Sequence, residues 1–280
     1  MTPSSHPPLS ADAPIGVFDS GIGGLSVLRA LRAELPGERF VYLADSGYAP
    51  YGERGEAYTI ERARAVTDEL REQHRIKALV IACNTATTAA IDLLRIDHSD
   101  LPLVGVEPAV KPALSSSRTG RVGVIGTRGT LASARFARLL DAWSESGSVV
   151  AQACDGLASA IEDEIALPGP ASTAATTALC VRYIGAMGDF GASAGQIDTL
   201  VLGCTHYVFA APAIRQALGD ADVRLIETGD PVARQTRRLL ALRGLLGDAG
   251  GAAVLLQSTG DPALLEAAAK HWLGLVNSHP

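Results

Sequence analysis

Twice along the chain a short apolar run stops at a small residue, a cysteine and a threonine. Ala78 to Ala82 leads into Cys83, Asn84 and Thr85, and Thr199 to Leu202 leads through Gly203 into Cys204, Thr205 and His206. Each run has the length of a strand, is rich in Leu, Val and Ile, and shows no polar alternation, which is the pattern of a parallel strand buried on both faces. Parallel strands need crossover helices, so the chain is expected to be α/β. Helix-like segments follow both cysteines; Asn84 and Thr85 are residue types that cap helix starts, so backbone N–H groups and a positive helix end are expected beside the thiol. A second echo runs in the same order: IGVFDSGIGGLSVLRALRAEL from Ile15 and RVGVIGTRGTLASARFARLL from Arg121 both read strand, small-residue turn, helix. Duplication into two halves, each with one cysteine at a strand end, accounts for both echoes.

With 280 residues, 47% of them hydrophobic, the chain can build two ordinary α/β cores. Its formal charge of −6, without a cluster of Lys or Arg, argues against nucleic acid or an anionic membrane as partner. A small molecule is the expected ligand. No apolar run is long enough to span a bilayer, and residues 1–13 carry no signal-peptide pattern; they read as a flexible N-terminus, and the location as cytoplasmic. Cysteines 83, 154, 180 and 204 form no CxxC pair, so reduced thiols are the default, with Cys154 and Cys180 read as small buried residues in helical surroundings.

Further elements follow from periodicity. A strand from Pro14 to Phe18 enters the Asp19–Gly24 turn, whose glycines admit a close approach to a ligand, while Ser26 breaks the dinucleotide pattern. Asp19 either orients a catalytic thiol or caps the helix, and spacing alone favours the cap. The strand from Arg39 to Ala44 ends in the loop DSGYAPYGER, where Tyr51 and Gly52 either cover a site or belong to a plain Pro- and Gly-rich connector. Glu56 to Gln73 reads as a charged outer helix, Ser115 to Gly120 as a linker, and Val223–Ile226, Pro231–Leu245, Ala252–Gln257 and Pro262–Leu275 as a closing strand–helix–strand–helix.

Three chemistries compete for the thiols. A cysteine hydrolase needs one thiol, a histidine base and an oxyanion hole; His206 is awkwardly close to Cys204 for that pairing, and the duplicate has no task. A zinc site lacks chelating spacings beyond Cys204-Thr205-His206. In a proton-transfer site, thiols from two half-domains flank one carbon, one removing a proton while the other supplies one from the opposite face. That chemistry uses both copies. A module that binds a ligand without turnover has no need of either cysteine.

At GVFDSGIGGLSV, DSGYAPYG, ACNTAT, GVEPAV, GVIGTRGT and GCTHY, spread from Gly16 to Tyr207, the chain resembles the glutamate racemases of the aspartate/glutamate racemase family. ACNT with GCTHY marks the wider family; DSGxGGLSV and PYG mark the glutamate branch. Val208, Phe136 and the segment Glu227–Asp230 depart from the family pattern. The resemblance implies two flavodoxin-like α/β domains with mainly parallel sheets, related by a pseudo-twofold, with the active site in the cleft between them. Residues 14–108 plus 223–280 then form the first domain, with Cys83, and residues 109–222 the second, with Cys204. It also implies cofactor-independent interconversion of L- and D-glutamate, without pyridoxal phosphate or metal, supplying D-glutamate for peptidoglycan and so for cell shape. The sister activity on aspartate is the close alternative. A homodimer is the association the resemblance leans toward.

On this resemblance Cys83 removes the α-proton of D-glutamate and Cys204 that of L-glutamate. Asp19 matches the acid near the first thiol, and Glu162 and His206 match the groups near the second. Ser20, Tyr51, Gly52, Asn84, Thr85, Thr127 and Thr205 complete the expected substrate contacts. A thiol of pKa about 8.5 is a weak base for so weak an acid, so the site must stabilise the carbanion and raise the thiolate fraction. Asp19 and His206 are the expected supports, and an acid that instead keeps the opposite thiol protonated is the alternative.

Overall fold

The computed structural model describes residues 8–247 and 253–275. The first alternation comprises β1 (Ile15–Asp19), α1 (Leu25–Glu34), β2 (Phe40–Ala44), α2 (Glu56–His74), β3 (Ala78–Ile81), α3 (Asn84–Asp97), β4 (Leu103–Gly105) and α4 (Val110–Ser116). The second comprises β5 (Arg121–Gly126), α5 (Arg128–Leu131), α6 (Ala134–Asp141), β6 (Ser148–Ala153), α7 (Leu157–Ala166), α8 (Pro170–Gly185), β7 (Thr199–Leu202), α9 (Ala211–Leu218) and β8 (Arg224–Ile226). The chain closes with α10 (Gly229–Leu242), β9 (Val254–Ser258) and α11 (Pro262–Leu273).

Every ladder between these strands is parallel. One sheet has the order β4-β3-β1-β2-β9 and the other β6-β5-β7-β8. Read from the other edge, the first is β2-β1-β3-β4 with β9 added outside β2, so both halves share one order. Strands β1, β2 and β3 are buried at every residue, as their unbroken apolar runs require. Their side chains alternate between two cores: Val17, Tyr42 and Val80 face α1, α10 and α11, while Phe18, Leu43 and Leu79 face α2 and α3. Each such side chain contributes roughly 1.5–3 kcal/mol by leaving water. In α1, Leu25, Leu28 and Leu31 form the inward stripe.

The halves divide differently from the boundaries expected above. Val223–Ile226 was grouped with the first half, but Arg224–Ile226 hydrogen-bonds β7 in the second sheet; the return to the first sheet is made by β9, which pairs with β2. Residues 1–7 of the expected flexible N-terminus, and Ala252 of the expected strand, lie outside the described residues. Residues 8–13 are tied down: Leu9 packs on both cores, Lys77 donates to the Ala11 carbonyl and Arg39 to that of Asp12. The expected linker Ser115–Gly120 is anchored as well, because the buried Asp198 carboxylate accepts from Ser117 Oγ at 2.6 Å and from the Arg118 backbone N–H at 2.6 Å. Across the halves, Trp272 of α11 stacks on Phe209 with ring centroids 3.6 Å apart.

Candidate active site

In a doubly wound sheet the crevice lies at the carboxyl ends of the strands, where connections diverge to opposite sides. Here that point falls between β1 and β3 in one sheet and between β5 and β7 in the other. Asp19, Ser20 and Cys83 leave the first; Thr127, Cys204, Thr205 and His206 leave the second. The two crevices face each other.

On the first side, Cys83 is itself the N-cap of α3: its sulfur accepts from the Ala86 backbone N–H at 3.4 Å, displacing Asn84 and Thr85 from that expected role into the helix. The thiol donates to Ser20 Oγ at 3.7 Å. Burial, and then the negative charge of Asp19, push the Cys83 thiol up to about 12. Asp19 does not cap α1. Its Oδ1 accepts from the Gly21 N–H at 2.8 Å and its Oδ2 from Thr205 Oγ1 of the other half at 3.1 Å. Burial raises the Asp19 carboxyl against the lowering pull of His206 and these donors.

The second side is built otherwise. Cys204 precedes a single 3-10 turn, Thr205–Val208, and caps no helix; the expected positive helix end behind it is absent because α9 begins only at Ala211. In its place His206 turns back, with Nδ1 3.8 Å from the Cys204 sulfur, so adjacency in sequence does not prevent pairing. Nε2 donates to Glu162 Oε1 at 2.8 Å. Burial alone depresses His206, but its bonds to Cys204 and Glu162 outweigh that and hold the imidazolium well above its ordinary range. Glu162, desolvated on α7, is brought below the usual carboxylate range by the same pair. The same Oε1 accepts from the Ile22 N–H at 3.0 Å, a first-half contact with no sequence signal.

The glycines of the Asp19–Gly24 turn explain how the halves meet. Gly21 and Gly23 lie outside the left-handed region, so space is the issue. A Cβ on Gly21 would sit 1.9 Å from Glu162 Oε1, and one on Gly23 2.3 Å from His206 Nδ1. What approaches this backbone is the second half's own side chains, where a ligand was expected.

Between the thiols lies a cavity of about 260 Å³. Ser20, Cys83, Asn84, Thr85, Thr127, Cys204, Thr205, His206 and Glu162 line it, so all these expected residues converge. Asp19 is buried behind the wall and reaches it through Thr205. Asn84 is 2% exposed, and neither its amide nitrogen nor its oxygen has a protein partner. Buried polar groups normally find one, so this amide is set for a ligand. Thr85, Thr127 and Thr130 link their hydroxyls at 2.9, 3.3 and 3.0 Å across the halves. Tyr51 and Gly52 form part of the roof, but the Tyr51 hydroxyl points away, donating to Asp45 Oδ2 at 2.5 Å. Cys154, expected in helical surroundings, follows β6 and lines the wall; Cys180, on α8, is buried in the core of the second half. A larger cavity of about 800 Å³ opens at the amino ends of β1, β2 and β9 beside Arg39 and His74, and none of the thiols lines it. Among the described residues, no group of three or more His, Cys, Asp or Glu is arranged to hold a metal ion, and no helix is long and apolar enough to cross a membrane.

The departures at 136 and 208 are absorbed locally: Phe136 is buried against α4 and β5, and Val208 completes the 3-10 turn against the core of the second half.

The model of the Asp/Glu/Hydantoin racemase family matches residues 15–236. A Pseudomonas paraeruginosa protein named glutamate racemase is 47% identical over 254 residues, which is 91% of each chain. One from Pseudomonas syringae pv. tomato is 49% identical over 235 residues, 84% of this chain and 81% of that one. Among solved structures, glutamate racemase isoform RacE1 from Bacillus anthracis superposes with a TM-score of 0.82 at 32% identity, covering 95% of this chain and 96% of that one. The Francisella tularensis glutamate racemase in complex with D-glutamate has a TM-score of 0.76 at 26% identity, covering 96% of both.

Proposed function

Given that the chain belongs to the Asp/Glu/Hydantoin racemase family, we propose that it interconverts L- and D-glutamate, with Cys83 and Cys204 transferring the α-proton on opposite faces of the substrate. The observation that carries this reading is the facing pair of buried thiols on one small cavity. The substrate is the one in the relatives' names, and its D-enantiomer is the form that supplies peptidoglycan synthesis.

In the L to D direction the Cys204 thiolate takes the α-proton, leaving a carbanion whose charge spreads into the α-carboxylate. The Cys83 thiol then gives its proton to the other face. Cys204 ends as thiol and Cys83 as thiolate, and the reverse reaction restores both. The His206 cation supports negative charge on the Cys204 side, while Asp19 disfavours it at Cys83, so the resting site suits L-glutamate. Asp19 therefore acts as the acid that keeps its thiol protonated rather than as an activator. The Asn84 amide and the hydroxyls of Ser20, Thr85 and Thr127 are donors for the carboxylates, and the α3 terminus adds a positive field on the Cys83 side.

No cofactor enters this scheme. A pyridoxal phosphate enzyme needs a lysine at the reacting carbon, and Lys77, Lys111 and Lys270 all lie away from the cavity lining. The cytoplasm, as a reducing compartment, suits four unpaired cysteines. The two α/β halves act as domains.

The test is proton NMR of the purified protein with each enantiomer in D2O, together with optical rotation. Loss of the α-proton with inversion from both enantiomers is expected. Exchange of aspartate and not glutamate would transfer the reading to the sister activity, and exchange of neither would end it.

A further inference from the structure

The loop between β2 and α2 crosses the cleft. Its root is Asp45, fully buried at the end of β2, whose carboxylate accepts two bonds from Arg62 at 2.9 Å each, one from Thr259 Oγ1 at 2.9 Å and one from the Tyr51 hydroxyl. Tyr51 is wedged between Phe18 and Tyr58 with ring centroids 6.2 Å away on either side, and Tyr58 OH donates to the Tyr48 carbonyl at 2.8 Å. The turn Tyr51–Glu53 is thereby held from below by a buried anion and from the side by rings. From this anchorage it extends over the other half. A Cβ on Gly52 would stand 2.7 Å from Thr127 Cβ, so the strap lies directly on the second half at that point.

One residue further on, Glu53 Oε1 accepts from the backbone N–H of Gly156 at 3.3 Å. Gly156 is the N-cap position of α7; it has φ 75°, no side chain and no cap bond of its own, and the first turn of the helix holds no acid. A helix start without a cap leaves N–H groups unpaired and a positive end uncompensated. Glu53 meets one of those groups and brings the matching charge, from the opposite half. The same helix carries Glu162, whose carboxylate is held by Ile22 N–H of the first half and in turn holds His206. The first half therefore grips α7 at its start and again at Glu162.

We propose that Glu53 is a positioning residue: reaching over the cavity from the Asp45-anchored strap, its carboxylate caps α7 across the cleft and so sets Glu162 on His206. It touches no reacting atom. This rests on the glutamate reading of the cavity, and its test is built to fail separately from that reading.

The experiment compares wild type, Glu53→Ala and Glu53→Gln, using hydrogen exchange of the peptide covering 156–162 and steady-state kinetics with both enantiomers. In Glu53→Ala the start of α7 is expected to exchange about three- to tenfold faster, the range of a lost cap. The same variant should show KM for both enantiomers raised about fivefold or more, with a smaller fall in kcat, because α7 forms a wall of the cavity that receives either enantiomer before proton transfer. Gln keeps an acceptor oxygen and is expected to restore exchange and KM to within about twofold. Unchanged exchange in Glu53→Ala would overturn the proposal, and so would faster exchange with unchanged KM. Raised KM without faster exchange would also overturn it, since Glu53 would then act on substrate directly. Exchange is read without substrate, so if wild type failed to turn over glutamate the function would fall while the capping role was still decided.

Discussion

Cys83 and Cys204 leave the third strand of two sheets with the same order, yet one caps a 14-residue helix beside a hydroxyl and an anion, and the other precedes a single 3-10 turn beside an imidazolium. Duplication thus explains where the sulfurs are and leaves open what each does. The surroundings diverged in charge: Asp19 disfavours an anion at Cys83, and the Glu162–His206 pair places a cation against Cys204. On the proposed reading, a symmetric substrate path needs an asymmetric resting state, because one thiol must hold a proton while the other lacks it.

The most severe test of this contrast removes either sulfur. Cys83→Ala and Cys204→Ala are each expected to lower racemisation at least about 10³-fold in both directions, with unchanged circular dichroism. Turnover surviving in either folded variant would dissolve the pairing of the two sites. Next in size, Gly23→Ala is expected to cost about 10²-fold, since its Cβ would meet His206 Nδ1 at 2.3 Å and displace the cation from Cys204. Gly55→Ala, with nothing within 4 Å of the added carbon, is the control that should match wild type. Equal losses at both glycines would remove the close approach as the cause.

Asp19→Asn and His206→Asn sharpen the comparison further. The enantiomers have equal free energy, so kcat/KM must fall equally in both directions. The asymmetry should appear in kcat and in the α-deuterium isotope effect, by roughly tenfold between directions, and with opposite preference in the two variants. Matching preference would deny the sites separate roles. Stability should report the same cation. The His206 imidazolium is raised in the fold, so its contribution is complete below the unfolded value of about 6.5 and is lost as pH climbs through the folded value. The stability gap between wild type and His206→Asn should narrow as pH rises above about 6.5; a gap constant to pH 9 would mean that the imidazolium is not held. Smallest of all, Asn84→Ala should leave the unliganded protein as stable or up to about 1 kcal/mol more stable, because an unpaired buried amide is lost. The same variant should raise KM for glutamate, and a destabilised variant would show that the amide has partners within the protein.

The strands were legible because buried parallel strands announce themselves as unbroken apolar runs, and β1, β2, β3, β5 and β7 fall within a residue of where those runs lie. The short edge strand β8 carries only Arg224, Leu225 and Ile226, and nothing in its composition says which sheet it joins. The thiols and hydroxyls after the strands were legible for the same reason as the strands. The acids were not. Glu162, Asp163 and Glu164 occupy successive positions on one helix, and only the docking of α7 on Ile22 determines which faces inward. Asp45 and Glu53 sit in a loop whose polar residues look alike until the other half is in place.

The outer strand β9 gives the first sheet a history. Strand β2 is made early, while Val254, the residue paired with Phe40, is made only after the entire second sheet. Until then Phe40, Val41, Tyr42, Leu43 and Ala44 form the rim of a nascent sheet, with unmatched amides along an apolar edge that invites a neighbouring chain. A chain terminated between β8 and β9 therefore carries both cysteines and an adhesive flank, so aggregation during synthesis should track interruption within that interval.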